Sequence, residues 1–128
     1  MRLLVDTHSF LWFITGSEEL SEGARQRIAD LANHVFVSSA SLWEIAVKTS
    51  LGRLTLAHPF AELIPEQLRL NAMEVLPIEV PHLAALITLP WHHRDPFDRL
   101  LIAQALAEGL PIVSRDTVFP AYPVQVLW

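Results

Sequence analysis

Arg2-Leu3-Leu4-Val5-Asp6-Thr7 is the stretch that decides the fold. Leu3-Leu4-Val5 is an unbroken apolar run without polar alternation, the pattern of a strand buried on both faces, and such strands belong to parallel sheets. The run stops at Asp6-Thr7, and a helical segment rich in aromatics follows from His8 to about Ile14, ended by Gly16-Ser17. A buried strand that passes straight into a helix is the first half of a βαβ unit.

The same alternation continues outward from this stretch. Residues 21–33 place Ala24, Ile28 and Leu31 on one helical stripe, with Ser21 as N-cap. Val35-Phe36-Val37-Ser38 reads as a second strand. From Ser39 or Ala40 to Leu51 runs a helix apolar almost all round, ended by Gly52. Residues 58–71 carry a helical pattern that Pro65 should split or kink. Met73 to Ile78 is a third strand candidate, Val80 to Leu86 a short helix, and Pro90 to Arg94 a loop. A helix from Asp95 to about Glu108 ends at Gly109, and Pro111 to Ser114 and Val124 to Leu127 supply two more strands. The expected architecture is one α/β domain over residues 1–128, a three-layer α/β/α sandwich with a mostly parallel central sheet.

Composition narrows the function classes. A chain of 128 residues has the size of one domain. Nine Lys+Arg against 14 Asp+Glu give a net charge of −5, and the pI is near 5.6. That balance argues against holding nucleic acid or an anionic membrane by bulk charge. A hydrophobic content of 52% and a mean hydropathy of +0.34 exclude disorder and leave apolar surplus for a surface that a partner covers. No apolar run approaches the roughly 18 residues of a spanning helix, and Asp6 comes too early for the apolar core of a signal peptide. Zero Cys removes disulfides, thiolate zinc sites and Cys nucleophiles together. The expectation is a compact cytoplasmic domain with no membrane partner.

Fourteen acidic residues are ordinary in number; their placement is informative. Asp6 follows the first strand and Asp116 follows Ile112-Val113-Ser114-Arg115, so both fall at carboxyl ends of parallel strands, where open α/β sheets carry their sites. Glu44 and Asp98 are expected in the first turn of helices that begin at the same edge. Capping accounts for each one singly: Ser41 to Glu44 fits a capping box, and Asp95-Pro96-Phe97-Asp98 fits an N-cap, N1 and N3. Helical spacing shifts the balance. Asp98 shares a face with Ile102 and Ala105, and Glu44 with Ala40, Val47 and Leu51, where a carboxylate is costly unless paired or metal-bound. Two carboxylates about 5 Å apart repel by roughly 3 kcal/mol at an effective dielectric near 20. Four together either keep some protons or hold a divalent cation, and helix N-termini at Glu44 and Asp98 favour the cation. Oxygen ligands without thiolates suit Mg²⁺ or Mn²⁺, which polarise a phosphate and activate water. Phosphodiester hydrolysis is the natural chemistry.

Four segments together resemble the PIN-domain family, and within it the VapC-type toxins of bacterial toxin–antitoxin pairs. They are Leu3-Leu4-Val5-Asp6-Thr7-His8, Ser38 to Ile45, Asp95 to Ala105 and Leu110 to Asp116, in order along the chain from Arg2 to Trp128. The resemblance implies a Mg²⁺- or Mn²⁺-dependent endoribonuclease acting on RNA. It also implies a cognate antitoxin whose tail fills the site, a homodimer and a toxin–antitoxin hetero-oligomer. Asp6, Glu44 and Asp98 carry over as the acidic core and metal ligands, with Asp116 as the fourth, more variable member. Thr7 and Ser114 match polar positions that orient ligands or water.

The remaining candidates are weaker. His8, His92 and His93 lack the spacing of a zinc site, and neither a glycine-rich phosphate loop nor a G-x-S-x-G elbow is present. His92 and His93 read as a solvated loop or a phosphate-contacting pair. Lys48 and Arg53 read as solvated charge. Arg99 and Arg115 adjoin acidic candidates and are assigned either to ion pairs there or to RNA phosphates. Phe10, Trp12, Phe13 and Trp43 ordinarily mean core, but Phe10, Trp12 and Phe13 together exceed what one face of the first helix can bury, which points to a partner contact there. Two rival functions share the fold: a non-catalytic interaction module, and the same metal chemistry directed at DNA.

Overall fold

The computed structural model describes residues 1–128. Five strands, β1 (Arg2–Val5), β2 (His34–Ser38), β3 (Glu74–Leu76), β4 (Ile112–Val113) and β5 (Val126–Leu127), form one sheet in the order β3-β2-β1-β4-β5. Every neighbouring pair is parallel. Six helices connect and flank it: α1 (Thr7–Thr15), α2 (Glu22–Ala29), α3 (Ser39–Ser50), α4 (Phe60–Leu70), α5 (Val80–Ile87) and α6 (Pro96–Glu108). A short 3₁₀ turn, Phe119–Ala121, precedes β5.

The apolar runs place two cores on opposite faces of the sheet. Leu3, Val5, Val35 and Val37 point to one side and pack with Phe10, Ile28, Ile45 and Ile64. Leu4, Phe36 and Ile112 point to the other and pack with Leu101, Ile102, Ala105 and Phe119. Strand residues alternate faces, so a run without polar alternation needs cover on both sides, and the three-layer sandwich supplies it.

The strand order also sets where a site can form. From β1 the chain moves outward to β2 and β3, then returns to the far side of β1 to build β4 and β5. The reversal lies between β1 and β4, whose register pairs Val5 with Val113. At such a switch point the connections leave toward opposite layers and open a crevice beyond the carboxyl ends of the strands.

Several boundaries differ from the sequence reading. α2 stops at Ala29, because Asp30 turns extended and its carboxylate takes the Ala32 N–H at 2.9 Å. Leu31 therefore leaves the stripe and is 87% exposed. α4 runs continuously through Pro65, held by Ile64, Phe60 and Leu68 against the first core. Ser21, Asp95 and Gly109 cap their helices as the sequence predicts.

Candidate metal-binding active site

Asp6 leaves β1 and caps α1, its carboxylate accepting the Ser9 N–H at 2.8 Å. It is buried, and burial pushes its pKa up against the pull of hydrogen bonds from Ser114 and Ser9 and the nearby His8. The Val5–Val113 register sets Ser114 beside it across the switch point. Asp116 lies in the turn after β4, where its backbone N–H donates to Ser114 Oγ at 3.0 Å and its carboxylate accepts the Val118 N–H at 2.9 Å.

Glu44 enters from α3, 2% exposed, and it is not a cap. The Ser38 hydroxyl accepts the Ala40 N–H at the strand end, so the helix is capped three residues before Ser41 and the expected Ser41–Glu44 box does not form. Glu44 thus lies in the second turn and points inward. Thr7 Oγ1 is 2.8 Å from Glu44 Oε1 and 2.9 Å from Ser41 Oγ; it donates to the carboxylate and accepts from the serine. Lys48, one turn further along α3, pairs with Glu44 Oε2 at 2.5 Å. The reading of Lys48 as solvated charge is corrected: it is the counter-ion of a buried carboxylate, and its i,i+4 spacing from Glu44 is the signal.

Asp98 enters from the first turn of α6, where its N–H is capped by Asp95. Its pKa is pushed from 3.8 to about 8, first by burial and then by the charges of Asp95, Glu44, Asp116 and Asp6. The other three predicted carboxylates, from three separate segments, therefore lie close enough to Asp98 for their charges to act on it. No three of the four close to within 4.8 Å, and the one group of metal-capable side chains that does is Glu79, His82 and Glu108. That group lies toward the other end of α6. His82 Nδ1 already accepts the Glu79 N–H at 3.0 Å and its Nε2 reaches Glu108 Oε1 at 2.7 Å, so both ring nitrogens are satisfied within the protein.

The basic residues part ways. Arg99 is buried, donates to the Leu89 and Pro90 carbonyls, and lies over the Trp91 ring at 3.7 Å. Its assignment to RNA phosphates is withdrawn, because its donors are committed to the loop before α6. Arg115 stays at the rim, paired with Glu19 at 2.6 Å and stacked over Trp12. A crevice of about 200 Å³ is lined by Asp6, His8, Trp12, Arg115 and Asp116. A larger groove of about 800 Å³ adjoins it, sharing His8 and Trp12; Thr7 and Glu44 line it, with walls of Leu11, Leu54, Leu56 and Leu63 and with Lys48 and Arg53. Of the four singled-out aromatics only Phe10 is core; Trp12 and Phe13 are half-buried, and Trp43 stands exposed with its edge to Phe97. His93 is not a solvated loop residue: its Nδ1 lies 2.8 Å from the Tyr122 hydroxyl and its Nε2 3.5 Å from Asp98 Oδ2.

Comparison with known proteins fits this arrangement. A relative named Ribonuclease VapC16, from Mycobacterium tuberculosis, is 33% identical over 60 residues, a match spanning 47% of this chain and 43% of the relative. The fold is shared with VapBC2 from Rickettsia felis, solved bound to a promoter DNA fragment, at a TM-score of 0.74 and 16% identity over 98% of this chain and 97% of that one. FitAcB from Neisseria gonorrhoeae superposes with a TM-score of 0.66 at 20% identity, covering 98% and 96%. VapBC-1 from nontypeable Haemophilus influenzae does so at 0.69 and 13%, with the same coverage. The sequence profile of the PIN domain matches residues 3–125, nearly the whole chain, and the protein belongs to the PIN-domain family.

Proposed function

We propose that this protein is a Mg²⁺- or Mn²⁺-dependent endoribonuclease and the toxin of a cytoplasmic toxin–antitoxin pair. The observation that carries the reading is a half-buried carboxylate at the switch point, Asp98, which burial first and then the charges of Asp95, Glu44, Asp116 and Asp6 push to a pKa of about 8. Asp6, Glu44, Asp98 and Asp116 would hold the cation; all offer hard oxygen donors, and no thiolate competes. When bound, such an ion polarises a phosphodiester and lowers the cost of activating water. Thr7 fixes the rotamer of Glu44, and Ser114 bridges Asp6 to the Asp116 backbone, so both act on ligand geometry. Arg115 at the mouth offers the rim's cation for a substrate phosphate.

The groove beside Glu44 suits a partner segment that brings apolar side chains against Leu54, Leu56 and Leu63, which supports an antitoxin tail as its occupant. Val80, Leu83 and Ile87 form an exposed apolar stripe on α5, which supports a homodimer. The test of the enzyme reading is cleavage of single-stranded RNA by purified protein. Cutting is expected with Mg²⁺ or Mn²⁺, absent with EDTA, and lost in Asp6→Asn and Asp98→Asn. Variants that cut at the wild-type rate sink the assignment, and cleavage of single-stranded DNA in place of RNA moves the substrate class.

A further inference from the structure

The loop before α6 holds a polar atom that the site as described leaves unused. Tyr122 Oη receives three N–H groups: the backbones of His92 and His93 at 3.2 and 3.3 Å, and Arg99 Nη1 at 3.2 Å. A phenol oxygen has two lone pairs and one proton. With its acceptor side filled, the hydroxyl proton goes to the one acceptor in reach, His93 Nδ1 at 2.8 Å. A ring nitrogen that accepts is unprotonated, so the neutral imidazole carries its proton on Nε2. That Nε2 is buried and has no hydrogen-bond partner, yet it lies 3.5 Å from Asp98 Oδ2. A buried donor left unpaired is costly, and a small turn of the carboxyl group closes the gap to ordinary N–H···O distance.

The surroundings hold the ring in this pose. It packs against Phe119 and Tyr122, and Arg99, next after Asp98 in α6, ties the loop down through the Leu89 and Pro90 carbonyls. A ligand carboxylate is commonly oriented by such an outer partner.

We propose that His93 is a positioning residue: its Nε2–H donates to Asp98 Oδ2 and aims that carboxylate at the cation site, while the Tyr122 hydroxyl fixes the ring's tautomer. This rests on the reading of Asp98 as a metal ligand. The test uses the full chain and two measurements. Long-range ¹H–¹⁵N NMR of the imidazoles, in the metal-free wild type, should show His93 protonated at Nε2; an Nδ1–H tautomer overturns the proposal. Calorimetric titration with MnCl₂ should show Kd raised about 10- to 100-fold in His93→Ala, the usual effect of losing an outer partner. His93→Gln, whose amide nitrogen reaches the Nε2 position, should recover most of that loss. Tyr122→Phe should weaken Mn²⁺ and leave the tautomer mixed, which keeps the idea testable if His93→Ala does not fold. Wild-type affinity in His93→Ala overturns the positioning role alone, provided Asp98→Asn has lost binding. A wild type that binds no Mn²⁺ overturns both this role and the nuclease reading.

Discussion

Asp98→Asn should make the metal-free protein more stable, by an amount that grows with pH. The folded pKa of Asp98 is about 8 and its ordinary value is 3.8, so between these limits the folded state holds a proton that the unfolded state has released. Stability therefore falls as pH rises through this window: the group's contribution is intact below about pH 4 and lost by about pH 8. At ~1.4 kcal/mol per pH unit the full excursion is ~6 kcal/mol. The Asp98 side chain is 22% exposed, and solvent screening lowers the realised figure to about 2–4 kcal/mol. Asn keeps the size and cannot ionise. Urea denaturation in EDTA, followed by tryptophan fluorescence, should show the variant more stable by about 2–4 kcal/mol at pH 8.5, with the gap closing near pH 4. Mn²⁺ at about a thousand times Kd should reverse the ranking, since such binding adds ~4.1 kcal/mol to the wild type and little to the variant. A gap that does not change with pH, or an Asn variant less stable at pH 8.5, refutes the claim that crowding and burial act on Asp98.

Two further outcomes follow from the same geometry. Lys48→Met removes the counter-ion of Glu44, which is only 2% exposed, and should cost about 1–3 kcal/mol in EDTA, seen as a lowered Tm that Mn²⁺ recovers in part. Gly109→Ala places a Cβ at φ +65° with nothing within 4 Å of it, so the loss is backbone strain alone, about 1 kcal/mol by denaturant titration, with metal affinity unchanged.

What the sequence made legible was whatever depends on near neighbours. Leu3-Leu4-Val5 and Val35-Phe36-Val37 announce two-sided burial by their lack of alternation, and with helical lengths between them the parallel order follows. Asp6 and Asp116 were legible for the same reason, Asp6 directly after such a run and Asp116 three residues past one. Polar partners distant in the chain were not. Nothing near Arg99 says that its guanidinium meets Tyr122, 23 residues on, and the Leu89 and Pro90 carbonyls. Nothing near Ser41 says that Ser38 has already capped the helix, so the S-x-x-E spacing of Ser41 and Glu44 imitates a box that never forms. Pro65 misleads in the opposite direction: a missing N–H on one turn is outweighed by the apolar side of α4 seated on the first core.

The rim breaks the rules that the rest of the chain obeys, and the way it breaks them is informative. Asp6 accepts an N–H from Ser9, Asp116 from Val118, and Asp95 from Asp98; Glu44 has Thr7 and Lys48. Asp98 accepts none, although it is the most crowded of them. A position selected for stability alone would carry Asn there, which fills the same space at no charge cost. Local conflict of this kind, with the other rim carboxylates satisfied, is what a fold tolerates where a site needs a ligand's worth of negative charge kept free. His93 Nε2, itself unpaired and 3.5 Å away, is the complementary half of the same conflict, a donor waiting for the carboxylate that lacks one.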